Sequence, residues 1–226
     1  MTKPGVHSQF LEFFKGKSES RGQTILDVGA GEGALTKSLY EMGHLLQACD
    51  LFPDMFKYPA VQCDEVDITK TFPYPDHTFD IVIAVEVIEH ILDHEIFFSE
   101  TNRILKPGGK LYASTPNILS MKSRIRFLFR GFPYSFKPLD MENYDGLQHV
   151  SSLSLDQYNY LANKQGFGLA GFDIDSKQKS SLWLRWLLYP LMLISQKIKG
   201  YSTIHNKKKL LLGRHLFVVF TKVNRD

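Results

Sequence analysis

Glu86-Val-Ile-Glu89-His90 places two carboxylates and an imidazole within five residues, directly after an apolar run. On a helical turn, positions i, i+3 and i+4 share one face, so Glu86, Glu89 and His90 are expected to converge. An oxygen-rich set with one nitrogen suits a divalent ion such as magnesium, manganese or zinc. A fourth ligand must come from elsewhere in the chain. His149, before a helix expected from about Leu153, is the candidate. Two other readings stay open: His90 takes a proton from a hydroxyl without a metal, or it only shapes a pocket.

A second group of residues lies earlier. Asp27-Val-Gly29-Ala-Gly31-Glu-Gly33 follows a short apolar strand and opens a helix. Glycines there permit a tight turn and let a ligand approach free N–H groups at the helix start. Gly29, Gly31 and Ala34 satisfy a dinucleotide fingerprint, but Asp27 argues against that reading. A carboxylate before the first glycine would repel a pyrophosphate and would accept hydrogen bonds from an ammonium group. Asp50 ends the next strand, where it can take both hydroxyls of a ribose. Asp67 follows a third strand and can accept from an adenine amino group, with Asp64 as its competitor.

The elements that position these residues alternate. Strands are expected at Thr24–Val28, His44–Asp50, Val61–Val66, Phe79–Val85, Lys110–Ser114, Phe167–Ile174 and His215–Lys222. Helices are expected over about 5–20, 34–42, Asp93–Leu105 and Leu153–Lys164, with Gly43 at one C-terminus and Ser151 and Ser152 as candidate caps. The run Phe79–Val85 is apolar almost throughout, as a strand covered on both faces should be. The pattern predicts a mostly parallel sheet with helices on both faces. Stretches at about 117–148 and 176–213 break the rhythm and are too long for ordinary connections.

The 226 residues suffice for one sizeable core, and 43% hydrophobic content excludes a disordered chain. Cys49 and Cys63 cannot build a disulfide framework and fit a reducing compartment. The net charge of +3 hides two opposed parts. Residues 176–226 hold eleven Lys/Arg and one acid, giving +10, while residues 1–175 carry −7. Residues 118–138 add five Lys/Arg and no acid, so both irregular stretches are basic. The N-terminus lacks an apolar segment of the signal-peptide kind. Leu182–Ile194 is interrupted by Arg185 and Pro190 and falls short of the ~20 residues that a spanning helix needs. A cytoplasmic protein is expected. Trp183, Trp186 and Tyr189 beside Arg185, Lys197 and Lys199 suit an interfacial helix over 182–199, peripheral to a membrane. A core-covering or dimer helix is the alternative. Nucleic acid is disfavoured, because no RNA-binding module accompanies the basic residues.

The motifs DVGAGEG, ACD, DITKTFPYPDHTFDIVIA, EVIEH and LKPGGKL occur in order across about 24–115. In that order the chain resembles the class I S-adenosylmethionine-dependent methyltransferases of the type 11/12-like group, nearest to the ubiquinone-biosynthesis O-methyltransferases. The resemblance implies one α/β, Rossmann-like domain over 1–226, with a seven-stranded mostly parallel sheet, an antiparallel last strand and helices on both faces. The two basic insertions would be a substrate cap (117–148) and an amphipathic segment (176–213). It implies S-adenosylmethionine at the C-terminal sheet edge, with Asp27, Gly29, Gly31 and Gly33 at the methionine part. Asp50 would bind the ribose, Asp67 and Ile68 the adenine, and Glu86 would stand beside the sulfonium. E-x-x-E-H with a later His also occurs in small-RNA 3′-end 2′-O-methyltransferases, which implies Glu86, Glu89, His90 and His149 as metal ligands. Glu89, His90 and His149 become the catalytic candidates. The expected reaction is O-methylation of a small molecule, a lipid-linked precursor or a surface sugar. RNA 2′-O-methylation and cofactor binding without turnover are the alternatives.

Overall fold

A computed structural model describes residues 5–17, 21–200 and 204–223. Seven strands form one sheet: β1 (Thr24–Val28), β2 (Leu45–Asp50), β3 (Cys63–Glu65), β4 (Phe79–Val85), β5 (Leu105–Pro116), β6 (Phe167–Ile174) and β7 (His215–Lys222). Their order is β3-β2-β1-β4-β5-β7-β6. The first five are mutually parallel, and β7 runs antiparallel to both β5 and β6. The expected seven-stranded sheet with a reversed last strand is therefore present.

Alternation along β4 divides the core in two. Val82 and Ala84 face α3 (His94–Ile104) and α5 (Leu155–Lys164), where Phe97, Phe98 and Tyr158 are fully buried. Ile81, Ile83 and Val85 face α1 (Val6–Lys15) and α2 (Ala34–Glu41), where Phe10 and Phe14 pack on Tyr112 and Phe217. With both faces covered, β4 had to be apolar at every position but one.

Several boundaries differ from the sequence expectation, each for a local reason. The first helix occupies Val6–Lys15 within the expected 5–20, and residues 18–20 lie outside the described residues. β5 begins at Leu105, so Lys106-Pro-Gly-Gly109 does not precede it. Phe79 pairs with Leu105 and Ile81 with Lys110, and the four residues between are absorbed as an irregularity in which Gly108 takes φ 74°. Ser154, rather than Ser151 or Ser152, caps α5 in a reciprocal pair with Gln157.

The two insertions touch each other. The first supplies α4 (Met121–Arg130) and the second α6 (Lys179–Lys199) and α7 (Lys208–Leu212), with α4 packed on α6. Arg124 of α4 donates to Asn206 Oδ1 and to the His205 carbonyl, both at 2.8 Å. Asn117, where β5 ends, donates to the carbonyls of Leu210 and Gly213. α6 continues through Pro190, and its Trp183, Trp186 and Ile198 are exposed, as are Phe127, Leu128 and Phe129 of α4. No described helix is long and apolar enough to cross a membrane.

Candidate active site

Parallel strands β1, β2 and β4 end at one edge of the sheet, and their C-terminal residues gather the sequence candidates. That edge is where open α/β sheets hold ligands. Asp27 is 2% exposed, and its Oδ2 accepts the Thr36 hydroxyl at 2.6 Å. Burial, reinforced by the Asp50 charge and opposed by the Thr36 hydrogen bond, pushes the Asp27 carboxyl up to about 7. After Asp27 the chain turns through Gly29 (φ 68°), Gly31 (φ 53°) and Gly33 (φ 83°) into α2. A Cβ on Gly29 would lie 2.3 Å from Val87 Cγ2, so glycine there lets the β1 and β4 turns approach. A Cβ on Gly31 would meet nothing within 4 Å, which leaves open space against this turn.

Asp50 organises the turn before any ligand arrives. Its Oδ2 accepts the Gly31 N–H at 2.8 Å and its Oδ1 the Phe52 N–H at 2.9 Å. Each oxygen keeps a second lone pair for a hydroxyl. Asp67 is less available. Its carboxylate accepts from the Thr69 hydroxyl and backbone and pairs with Lys70 at 2.9 Å. The Thr69 hydroxyl and Lys70 hold it down to about 2. Ile68 packs against the core, and Asp64 is taken up by Gln47, Gln62 and Tyr74.

The Glu86–His90 segment is not one helical face. Glu86 has φ 57°, Val87 has φ −123°, and only Ile88–His90 forms a 3-10 turn. The motif therefore splits. Glu86 turns toward β5 and β7: Ser114 Oγ donates to its Oε1 at 2.8 Å, and His215 Nε2 lies 3.3 Å from its Oε2. His215 Nδ1 is 3.0 Å from Asp175 Oδ2, which gives a buried chain Asp175–His215–Glu86–Ser114 across four strand ends. Glu89, fully buried, instead meets His90 and His149, with ligand atoms of all three within 4.8 Å of one another. Glu86 is not part of that cluster, which corrects the four-residue set expected from the motif.

Backbone hydrogen bonds bring His149 there. The Val150 and Ser151 N–H groups donate to the Glu89 carbonyl at 2.9 and 3.1 Å, and His90 Nδ1 lies 3.0 Å from the Gln148 carbonyl. A carbonyl only accepts, so His90 Nδ1 carries the hydrogen and Nε2 keeps its lone pair. The His90 and His149 rings stand edge to face at 4.9 Å, and Phe136 covers His149 at 5.5 Å. Both Glu89 oxygens are buried with no hydrogen-bond partner. Burial, and then the Glu86 charge, raise the Glu89 carboxyl well above the usual range. Burial lowers His90, with the Gln148 carbonyl pulling the other way.

Ser114, Asp175, His215 and Thr36 were not among the sequence candidates. The one available signal was topological: the first residue of a reversed strand lies at the edge where parallel strands end. His215, the first residue of β7, meets that condition, and Asp175 reaches the same edge by following the end of β6, which runs parallel to β5.

Comparison with known proteins finds methyltransferases. Residues 26–113 match a family model described as a methyltransferase domain. A ubiquinone biosynthesis O-methyltransferase of Xanthomonas axonopodis pv. citri is 31% identical over 116 residues, 47% of this chain and 48% of that protein. One from Coxiella burnetii is 24% identical over 156 residues, 66% of each. The chain thus spans about half the length of the Xanthomonas relatives it matches. An Archaeoglobus fulgidus SAM-dependent methyltransferase structure superposes with TM-score 0.65 at 16% identity, covering 96% of this chain and 93% of that one. One from Mesorhizobium loti gives 0.60 at 14%, covering 94% and 97%.

The buried Asp27 makes stability depend on pH. Its folded pKa lies above the unfolded value near 4, so the contribution is full below about pH 4 and is lost as pH rises toward 7. Three units correspond to about 4 kcal/mol. Asp27→Asn should raise the urea midpoint at pH 8, and the gain should vanish near pH 4. A gain of the same size at both pH values would contradict the assigned burial cost.

Proposed function

We propose that this chain is a class I S-adenosylmethionine-dependent methyltransferase that transfers a methyl group to a hydroxyl, with Glu89, His90 and His149 receiving the acceptor. The observation carrying the acceptor type is the Glu89–His90–His149 cluster, which presents a free imidazole lone pair beside an unpaired buried carboxylate. A hydroxyl is a weak nucleophile at neutral pH and needs a group to take its proton.

The edge residues suit the cofactor. Open space at Gly31, the carboxylate of Asp27 and the spare lone pairs of Asp50 match an amino acid joined to a ribose. S-adenosylmethionine supplies, when bound, a methyl on a sulfonium that departs as a neutral thioether. The chain's own work is alignment and proton removal. Asp27 holds the ammonium end, Asp50 the ribose diol, and the backbone around Asp67 and Ile68 borders the adenine. Ser114 and His215 hold Glu86 at the end of β4. His90 Nε2 takes the acceptor proton, while the Gln148 carbonyl fixes the ring. The first insertion acts as a cap over this edge, within one domain.

The same cluster fits a divalent cation. Unpaired buried oxygens on Glu89 beside two imidazoles are a reasonable donor set, and Glu86 would stay outside it. A cation there would lower the pKa of a bound hydroxyl. We further infer peripheral contact with an anionic membrane through the exposed aromatic face of α6 and the Lys207–Lys209 run, which suits a lipid-linked acceptor.

Asp50→Ala should abolish S-adenosylhomocysteine binding in calorimetry; unchanged affinity would remove the cofactor assignment. For the metal, chelation of the purified protein and His149→Ala should lower its zinc or manganese content and its activity together. Turnover that persists in a metal-stripped sample leaves His90 acting as a base alone. Replacing Trp183 and Trp186 with Ala should reduce sedimentation with phosphatidylglycerol vesicles several-fold, and equal sedimentation would refute the membrane contact.

A further inference from the structure

Three cations crowd one aromatic ring beside the candidate site. Lys122 Nζ lies 5.0 Å from the Tyr134 ring centroid, the Arg126 guanidinium 5.8 Å and that of Arg214 4.6 Å. No two of them can be more than about 11 Å apart on those distances. Lys122 and Arg126 stand one turn apart on α4, and Arg214 closes the second insertion just before β7. All three are half-buried.

Among the described residues their charges are not answered. Among the described residues no carboxylate forms an ion pair with any of them. Arg126 gives one N–H to the Phe136 carbonyl, and Arg214 gives one to the Tyr134 hydroxyl. The Nε–H groups of both arginines are buried without an acceptor. The acid next to Arg214 in space is Asp175, and it is already used by the Arg214 and His215 N–H groups and the His215 ring. An aromatic ring has two negative faces, so it cannot serve three cations equally. A solvated basic patch needs no counter-ion, but buried guanidinium N–H groups without an acceptor carry a cost that an anion would remove.

We propose that Lys122, Arg126 and Arg214 bind a phosphate or diphosphate group carried by the methyl acceptor. This rests on the reading of the neighbouring edge as the methyl-transfer site. Two guanidinium forks and one ammonium match the several oxygens of a phosphoester better than the two of a carboxylate. The placement is suitable on both sides. Two residues after Tyr134, Phe136 packs on His149, and Arg214 is followed by His215, whose ring contacts Glu86. An acceptor anchored here by its phosphate would direct its other end toward Glu89 and His90. The phosphate could belong to a soluble phosphoester or to a lipid headgroup, and the two sources are separable.

The test titrates the full chain with phenyl phosphate in solution and with phosphatidylcholine vesicles bearing farnesyl phosphate. Phenol and plain phosphatidylcholine vesicles serve as neutral partners. The phosphate-bearing probe should bind at least about tenfold tighter than its neutral partner in one arm or both. Binding in solution identifies a soluble phosphoester, and binding only on vesicles identifies a lipid phosphate. Lys122→Gln with Arg126→Gln should weaken that binding about tenfold or more, with S-adenosylhomocysteine affinity and melting temperature unchanged. If the pair fails to fold, Lys122→Gln alone carries the comparison. Arg130→Gln, on the exposed end of α4, should change nothing. No preference for phosphate in either arm, or undiminished binding by the folded variant, overturns the proposal. Phosphate binding by a protein that does not bind S-adenosylhomocysteine would leave this site standing and remove the methyl-transfer reading instead.

Discussion

The left-handed backbone at Glu86, φ 57°, decides where the rest of the site falls. A non-glycine residue in that region costs on the order of 1–3 kcal/mol and persists only where its surroundings over-determine it. Ser114 does much of that: its carbonyl and hydroxyl both accept the Glu86 N–H, and its hydroxyl also contacts the Glu86 carboxylate. Had the chain continued as a helix, Glu86, Glu89 and His90 would have shared a face. The bend instead sends Glu86 along the sheet edge to His215 and drops Glu89 into the core beneath His90. One five-residue motif thus supplies two separate constellations.

The second consequence is electrostatic. The edge buries two acids, Asp27 and Glu89, and in both desolvation is the main force raising the pKa. Neighbouring carboxylates, Asp50 for one and Glu86 for the other, push in the same direction. A carboxyl kept this far from water is stabilised most by a cationic or hydrogen-bond-donating ligand. Two buried acids at this edge are therefore suited to a cationic or proton-donating ligand.

Much of the frame could be read from the sequence, because burial on both faces writes itself into composition. The unbroken apolar run of β4 and the glycine turn after β1 are such signatures, and Asp50 at the end of β2 follows from them. What could not be read depended on long-range contacts. Asp67 has the right position, yet its carboxylate is consumed by Thr69 and Lys70, a local competition that spacing does not reveal. His149 was nameable only as a candidate, because two backbone hydrogen bonds to the Glu89 carbonyl are what place it. Asp175 and His215 gave no local spacing pattern: a strand reversal joins the end of β6 to the start of β7 at this edge. The helical-face argument for Glu86 failed for want of one dihedral angle.

That reversal also ties the basic insertions to the chemistry. The second insertion leaves the sheet directly after Asp175 and returns directly before His215, so its two ends are the two ends of one buried hydrogen-bonded pair. Asn117 fastens the start of the first insertion to the same return, through Leu210, Gly213 and Arg214. Arg214 carries its charge outward to Tyr134, while the next residue carries a contact inward to Glu86. The +10 of the last fifty-one residues is thus joined to the acidic centre through one peptide bond, from Arg214 to His215, whose ring reaches Glu86.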